Sequence, residues 1–271
     1  NQNNTKSLLV DPGRRLWVGT VEGLYMLDLE GVSSDIEILK KQVVPQEWLT
    51  YRNIWNITLQ GAQLVLGTDD GVYISSLSDK KDSKLLWRFS DSDFRIQDNN
   101  VLSIIEDDKG HLWMGSKGQG AYHWVPSSLR FHNITAQKSN EGKQGLSHDT
   151  VNAVIEMDDG SLWVGTNNGL NEVNLATDDV VSYIVNPDKK DINSVSSVYE
   201  MVRRDKDSFW FTSPIGLRIF NTKTNQVESI GMVSGDIDAE LFNEGVYGIH
   251  QDKDGVLWMI TQSGFYKIDA N

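Results

Sequence analysis

The sequence predicts an all-β fold, a β-propeller of four-stranded antiparallel blades. The main observation is a repeated segment: an apolar strand, a polar turn, a strand of the form Leu-Trp-x-Gly-Thr, and a glycine that opens a further alternating strand. Centred on its tryptophan, or on Val65 in the second copy, the segment recurs at positions 17, 65, 113, 163, 210 and 258. The steps are 48, 48, 50, 47 and 48 residues. Such a fixed period indicates a repeat architecture.

The second observation is that each copy carries signals for short strands and shows no helical periodicity, which is typical of a propeller blade. Three strands lie in the repeated segment. We expect an outer strand in the weaker apolar stretches 36–39, 85–89, 128–134, 180–184 and 226–230. A leucine-rich repeat has a shorter period and helical repeats need a 3.6-residue pattern. A β-sandwich lacks such self-similarity.

The spacing predicts one propeller region, 1–271, with blades at about 5–44, 45–95, 96–140, 141–190, 191–235 and 236–271. The last blade is incomplete because no outer strand follows its third strand. Either six blades form a ring with one thin blade, or the chain is an arc of a larger, seven-bladed or double propeller, and we expect the arc. The tryptophans should pack between neighbouring sheets, where a large ring fills the widening space.

Composition supports a folded domain and excludes several functions. The 271 residues are 39% hydrophobic and include nine Trp, so a sizeable core is expected. There is no cysteine, which excludes disulfides, thiol catalysis and Cys-based zinc sites. The net charge of −13 repels phosphate backbones, so we predict no nucleic-acid partner. No apolar run approaches the roughly 18 residues of a membrane helix, so we predict no membrane contact in this segment.

The sequence contains no recognisable catalytic motif. Its five histidines are scattered, and none has the spacing of a catalytic zinc site. They are His111, His123, His132, His148 and His250. No Gly-x-Ser-x-Gly nucleophile segment occurs either. We therefore predict no catalytic residue, no metal site and no cofactor.

A ligand is expected at one end of the blades. The Asp-Gly turns between first and second strands are short and uniform, whereas the links at the opposite end vary in length, and variable loops on a regular scaffold often carry function. Polar amides and aromatic rings at that end suit a sugar. The predicted site residues are Arg52, Asn53, Trp55, Asn99, Asn100, Asp149, Asn167, Asn168, Tyr199, Glu244 and Tyr247. The alternative is that these residues only cap strands and bind water in the central channel that a propeller encloses.

The pattern Asp-x-x-Gly-x-Leu-Trp-x-Gly-Thr-x-x-Gly-Leu resembles the two-component regulator propeller repeat. Residues 158–170 and 11–24 follow it closely, whereas the second copy lacks the Asp and the Trp, and the fifth has Phe211-Thr212 and Pro214 in place of the Gly-Thr pair. The resemblance implies the non-catalytic periplasmic sensor region of a membrane-anchored bacterial protein. A histidine kinase or diguanylate cyclase would then lie outside this sequence, and a carbohydrate or small metabolite would be the ligand.

Two alternative functions stay open. Streptogramin lyases are propellers with similar repeats, and His148 with Glu244 is the pair that would share the variable end. A scaffold without its own ligand would dimerise through unpaired strand edges. As partners we expect the remaining blades of the same ectodomain and, in the full receptor, a second copy of the chain.

Overall fold

The computed structural model describes residues 5–29, 52–77, 84–87, 99–125, 130–137, 144–175, 177, 179–183, 197–229, 245–251, 255–261 and 264–269. All regular secondary structure in these residues is β-strand. The strands are β1 (Thr5–Val10), β2 (Arg15–Thr20), β3 (Gly23–Asp28), β4 (Ile54–Gln60), β5 (Gln63–Thr68), β6 (Gly71–Ser76), β7 (Lys84–Trp87), β8 (Val101–Glu106), β9 (Leu112–Ser116), β10 (Ala121–Val125), β11 (Arg130–Ile134), β12 (Val151–Glu156), β13 (Leu162–Thr166), β14 (Gly169–Asn174), β15 (Asp179–Tyr183), β16 (Met201–Asp205), β17 (Ser208–Ser213), β18 (Gly216–Asn221), β19 (Gln226–Ser229), β20 (Val246–Gln251), β21 (Val256–Thr261) and β22 (Phe265–Asp269).

The strands form six antiparallel sheets in chain order: β1–β3, β4–β7, β8–β11, β12–β15, β16–β19 and β20–β22. Each sheet is an up-and-down meander, as predicted for a blade. Strands β7, β11, β15 and β19 confirm four of the predicted outer strands, while the stretch 36–39 lies outside the described residues. Within the described part of the chain, no helix is long and apolar enough to cross a membrane.

The chain divides into two compact units, Asn1–His132 and Asn133–Asn271. In the first unit, Trp17 of β2 packs against Ile54 and Tyr73 of the second sheet. In the second unit, the Trp163 ring lies 5.4 Å from Phe209 and 4.8 Å from Phe220 of the fifth sheet, measured between centroids. Both tryptophans are buried, and their predicted packing between neighbouring sheets is confirmed.

The glycine after the tryptophan lets neighbouring sheets approach closely. A Cβ atom at Gly67 would lie 2.7 Å from the carbonyl oxygen of Val101, the first residue of the next inner strand. At Gly165 it would lie 2.6 Å from Cγ1 of Val198. Both distances are below van der Waals contact, so the repeated glycine is a packing requirement.

The threonine that follows the glycine closes a tight turn. The Thr166 hydroxyl donates to the carbonyl oxygen of Gly169 at 3.1 Å and accepts the Asn168 N–H at 3.0 Å. Gly169 has a φ of 111°, a conformation that favours glycine. Thr20 and Thr68 make the same two bonds in their own repeats. The Gly-Thr pair therefore defines the hairpin and leaves recognition to other residues.

The aspartate of the repeat organises the opposite turn. Asp11 accepts the backbone N–H of Arg15 at 3.0 Å, and its other oxygen accepts the indole N–H of Trp17 at 3.0 Å. Burial raises the pKa of this carboxyl group, but the hydrogen bonds from Trp17 and Arg15 outweigh burial, so the pKa stays below its usual value. This carboxylate links the turn to the interior tryptophan.

Candidate functional site

The first strand of each sheet, called the inner strand below, carries a β-bulge at the end where a ligand is expected. The inner strands are β1, β4, β8, β12, β16 and β20. Register shifts separate Thr5 from Ser7, Ile54 from Asn56, Val101 from Ser103, Val151 from Ala153, and Val246 from Gly248. Tyr199 has the equivalent place in the fifth sheet, where it and Glu200 both bond to Thr212. The bulge residues are Lys6, Trp55, Leu102, Asn152, Tyr199 and Tyr247. A bulge re-aims its side chain and often lies beside a functional site.

In the first unit, bulge residues of adjacent sheets meet. The Lys6 ammonium lies 5.3 Å from the centroid of the Trp55 ring, a distance that allows a cation–π interaction. The Trp55 indole N–H donates to Oδ1 of Asn100 at 2.9 Å, while the carbonyl oxygen of Asn99 accepts the Gly71 N–H at 3.0 Å. The structure thus brings three predicted site residues, Trp55, Asn99 and Asn100, to one strand end.

Arg52 and Asn53, also predicted to bind a ligand, contact acidic residues of the neighbouring turn. The Arg52 guanidinium pairs with Asp70 at 2.8 Å, and the Asn53 amide donates to Asp69 at 2.8 Å. Both bonds hold the segment before β4 against the turn between β5 and β6. These contacts favour a capping role for the two residues.

In the second unit, Tyr199 and Tyr247 form a stacked pair, with ring centroids 5.7 Å apart and an interplanar angle of 24°. Tyr247 is 51% exposed, so one side chain of the pair presents a large surface to solvent. Burial raises the pKa of Tyr199, and the neighbouring Tyr247 raises it further by a smaller amount. The Tyr199 phenol therefore remains neutral at physiological pH, and the stacked pair offers a flat surface with hydroxyl groups.

Glu200, the residue after Tyr199 in the chain, is a further candidate that the sequence alone did not indicate. One carboxylate oxygen accepts the backbone N–H of Ile249 on the first strand of the next sheet at 2.7 Å. Burial raises its pKa to about 7. Aligning the inner strands of the repeats would have found it, because the same position holds Ser7, Asn56, Ser103, Ala153 and Gly248 in the other sheets.

Asn167 takes part in an amide network at the same end of the second unit. The Asn152 amide donates to Oδ1 of Asn167 at 2.9 Å and to the carbonyl oxygen of Val198 at 2.9 Å. Asn152 was not predicted as a site residue, although its bulge position is visible once the repeats are aligned. The network links the fourth sheet to the first residues of the fifth.

Asn168 and Asp149 stabilise loops. The Asn168 amide donates to the carbonyl oxygen of Ser147 at 3.3 Å, and Asp149 accepts the Ala136 N–H at 2.6 Å. Glu244, the remaining predicted site residue, lies outside the described residues.

At the opposite end of the third sheet, two histidines that are scattered in the sequence come together. His111 Nδ1 lies 3.2 Å from Oδ2 of Asp107 and 3.3 Å from Nε2 of His123. His123 is the cross-strand partner of Trp113, and the two rings stack at 4.0 Å and 7°. The hairpin register brings the two histidines together. Their spacing of twelve residues in the sequence does not by itself indicate a metal site.

The sheets, their repeated hairpins and their intersheet tryptophans define a β-propeller protein. The sequence model of the family described as "Two component regulator propeller" matches residues 95–118 and 240–263, in the third and sixth repeats. Two segments of the chain therefore match the two-component regulator propeller repeat. A curated relative, histidine kinase P4 of Formosa agariphila, is 28% identical over 178 residues, which are 64% of this chain and 12% of that protein.

Solved structures share the fold over the whole chain. The extracellular domain of the hybrid two component system BT3049 from B. thetaiotaomicron has a TM-score of 0.72 at 16% identity, and that of BT4673 has 0.68 at 17%. The chain covers 34% and 32% of these domains, so it spans about a third of their length. A virginiamycin B lyase from Staphylococcus aureus has a TM-score of 0.66 at 12% identity, and this chain covers 82% of it.

Proposed function

We propose that the chain is part of the periplasmic sensor region of a membrane-anchored bacterial two-component signalling protein, and that it recognises a ligand without transforming it. The observation that carries this proposal is the regulator propeller repeat, matched at two places in the chain. The similarity to extracellular domains of hybrid two-component systems supports the same conclusion. A kinase or cyclase output domain would lie elsewhere in the protein.

The ligand class that we propose is a carbohydrate or a small polyhydroxylated metabolite. Within the second unit, the tyrosine pair supplies an exposed ring that can stack on the C–H face of a sugar. The Asn152 and Asn167 amides can bond hydroxyl groups. In the first unit, Trp55 and Asn100 offer the same combination of ring and amide.

The test is calorimetric titration of the full-length receptor's ectodomain with a panel of neutral and acidic oligosaccharides, followed by autophosphorylation of the full-length protein. For an oligosaccharide that binds, Tyr247→Ala should weaken affinity about fivefold or more, because truncating an aromatic residue central to an interface costs over about 1 kcal/mol. The control is Val181→Ala, since Val181 is similarly exposed, at 50%, but lies on β15. Failure of every oligosaccharide to bind or to change phosphorylation would overturn the proposal.

A propeller lyase is the second candidate, and the observation behind it is the fold shared with the virginiamycin B lyase. His148 is the residue proposed for such a reaction. Its Nδ1 accepts the Thr150 N–H at 2.8 Å, so Nε2 would act on a substrate. Turnover of virginiamycin B by the intact protein, lost in His148→Ala, would support this candidate, and absence of turnover would eliminate it.

We also propose that the full receptor is a homodimer whose propeller includes further blades beyond this chain. Light scattering on the whole ectodomain should give the mass of two chains. A monomer at micromolar concentration, with or without a bound oligosaccharide, would contradict the dimer.

A further inference from the structure

We propose that Asp107, His111 and His123 form a binding site for a divalent transition metal, with Zn²⁺ as the ion that fits best. The three ligand atoms, Asp107 Oδ2, His111 Nδ1 and His123 Nε2, all lie within 4.8 Å of one another. The site is at the turn between β8 and β9, at the opposite end of β8 from the predicted ligand residues Asn99 and Asn100.

The distances between the ligand atoms suit tetrahedral zinc. With bonds of about 2.0–2.2 Å to nitrogen and oxygen, two ligands of a tetrahedral ion are about 3.3–3.5 Å apart. The contacts of His111 Nδ1, 3.2 Å to Asp107 and 3.3 Å to His123, are already at this spacing. The third distance, from His123 Nε2 to Asp107 Oδ2, is 4.0 Å, so this pair would have to move closer when an ion binds.

The ligands are held in place by contacts around them. Asp107 is buried, and its Oδ1 accepts the backbone N–H groups of Lys109 at 3.0 Å and His111 at 2.8 Å. The indole N–H of Trp113 donates to Oδ2 at 3.2 Å, and the Trp113 ring also fixes His123 by stacking. Such outer contacts orient metal ligands and contribute to affinity. The side chains of His111 and His123 are 23% and 18% exposed, so an ion can enter and keep a water as fourth ligand.

The first repeat shows why a cation is expected here. Arg15 follows Asp11 by four residues, as His111 follows Asp107, and its guanidinium pairs with the Asp11 carboxylate at 2.7 Å. The same guanidinium lies 5.6 Å from the centroid of the Trp17 ring. The first repeat therefore places a positive charge beside both its aspartate and its tryptophan.

The third repeat places two imidazoles at this location. Their facing nitrogens are 3.3 Å apart, and both lie within 4.0 Å of one carboxylate oxygen. Neutral imidazole is the commonest protein ligand for metals, so a bound ion would supply the charge that arginine supplies in the first repeat.

The donor set also selects the kind of metal. Two imidazoles and one carboxylate suit Zn²⁺, Ni²⁺ or Cu²⁺, whereas Mg²⁺ and Ca²⁺ prefer sites made of oxygen. A bound ion would connect the turn after β8 to β10, because His123 lies on β10. The role that we assign to it is stabilisation of this hairpin.

The experiment is calorimetric titration of the EDTA-treated full chain with ZnCl₂ in a non-chelating buffer. We expect one zinc ion per chain. Loss of even an outer-shell contact weakens metal affinity about 10- to 100-fold, so His111→Ala and His123→Ala should each weaken it about 100-fold or more. His132→Ala and His250→Ala are the matched controls and should leave affinity unchanged, since both residues are exposed and lie outside the cluster.

Two further measurements separate a built site from weak surface binding. Substituted Co²⁺ should give the intense visible absorption of a tetrahedral complex in the wild type and not in His111→Ala. Zinc should raise the melting temperature of the wild type, because an ion that binds only the folded state stabilises it, and this shift should vanish in His123→Ala. Equal zinc affinity in wild type, His111→Ala and His123→Ala, or no zinc binding by a correctly folded wild type, would overturn the proposal.

Discussion

Replacing Glu200 by glutamine should remove a pH-dependent loss of stability. The glutamine oxygen can still accept the Ile249 N–H that Glu200 accepts at 2.7 Å, so the substitution removes the ionisation and keeps the hydrogen bond. Burial raises the pKa of Glu200 from an ordinary 4.5 to about 7. The hydrogen bond from Ile249 acts in the opposite direction but is the smaller effect.

The two pKa values fix the sign and size of the effect. The unfolded chain releases the Glu200 proton near pH 4.5, whereas the folded chain holds it until about pH 7. The folded state binds more protons in this window, so the free energy of unfolding falls as pH rises from 4.5 through 7. One such group lowers it by about 2.5 kcal/mol between pH 5 and pH 8. This is an upper value, because part of the residue is exposed.

The assay is urea unfolding of the wild type and Glu200→Gln at several pH values in this range, followed by tryptophan fluorescence. Other titrating groups are common to both proteins and cancel in the difference. The stability of Glu200→Gln relative to the wild type should rise with pH, by up to the 2.5 kcal/mol estimated above. A difference that does not change with pH, or that changes in the opposite direction, would refute the assignment of a buried carboxyl group.

Two pairs of substitutions test the packing of the inner strands by urea unfolding. Gly67→Ala should destabilise the fold by about 1–3 kcal/mol, because its Cβ would lie only 2.7 Å from the Val101 carbonyl oxygen. Gly248→Ala should cost less, because its Cβ meets only ordinary contacts from 3.4 Å. Equal losses of stability in the two variants would contradict this reasoning. Ser7→Ala should lower the free energy of unfolding by about 1 kcal/mol, because the Ser7 hydroxyl accepts the Ile57 N–H of β4, in the next sheet, at 3.0 Å. Ser103→Ala should be neutral or stabilising, because this buried hydroxyl has no partner among the described residues; a clear loss of stability there would indicate a bound water.

The period, the strand pattern and the roles of the repeated residues were predictable because they are local or recur along the chain. The Asp-Gly turns, the Gly-Thr hairpins and the outer strands follow from turn chemistry and alternation. Residues 11–24 already contain the signals for one complete hairpin pair. The order of the strands within each repeat could therefore be predicted, and the meanders formed by the described strands agree with it.

The candidate site was predictable only in part. Trp55, Tyr199 and Tyr247 follow polar residues at the start of their strands, which predicts their position, and the bulges place all three at that end. Glu200 and Asn152 were missed, because their positions become visible only when the inner strands are aligned on the bulge. Arg52 and Asn53 lie just before β4, and their bonds to Asp70 and Asp69 could not be predicted, because they depend on how the neighbouring turn packs.

By itself, the sequence determined the repeat, the all-β class and the family likeness, because a repeated residue in a repeated local context must serve the same structural role. Only the tertiary structure decided what differs between the repeats. It joined His111 and His123 across a hairpin at Asp107, and it placed Glu200 where the next strand's amide and a low dielectric surround it. The physical reason is that burial and charge–charge contact depend on which strands become neighbours. The fixed period identifies the repeated scaffold, whereas the candidate sites lie where the residues of a single repeat differ from those of the other repeats.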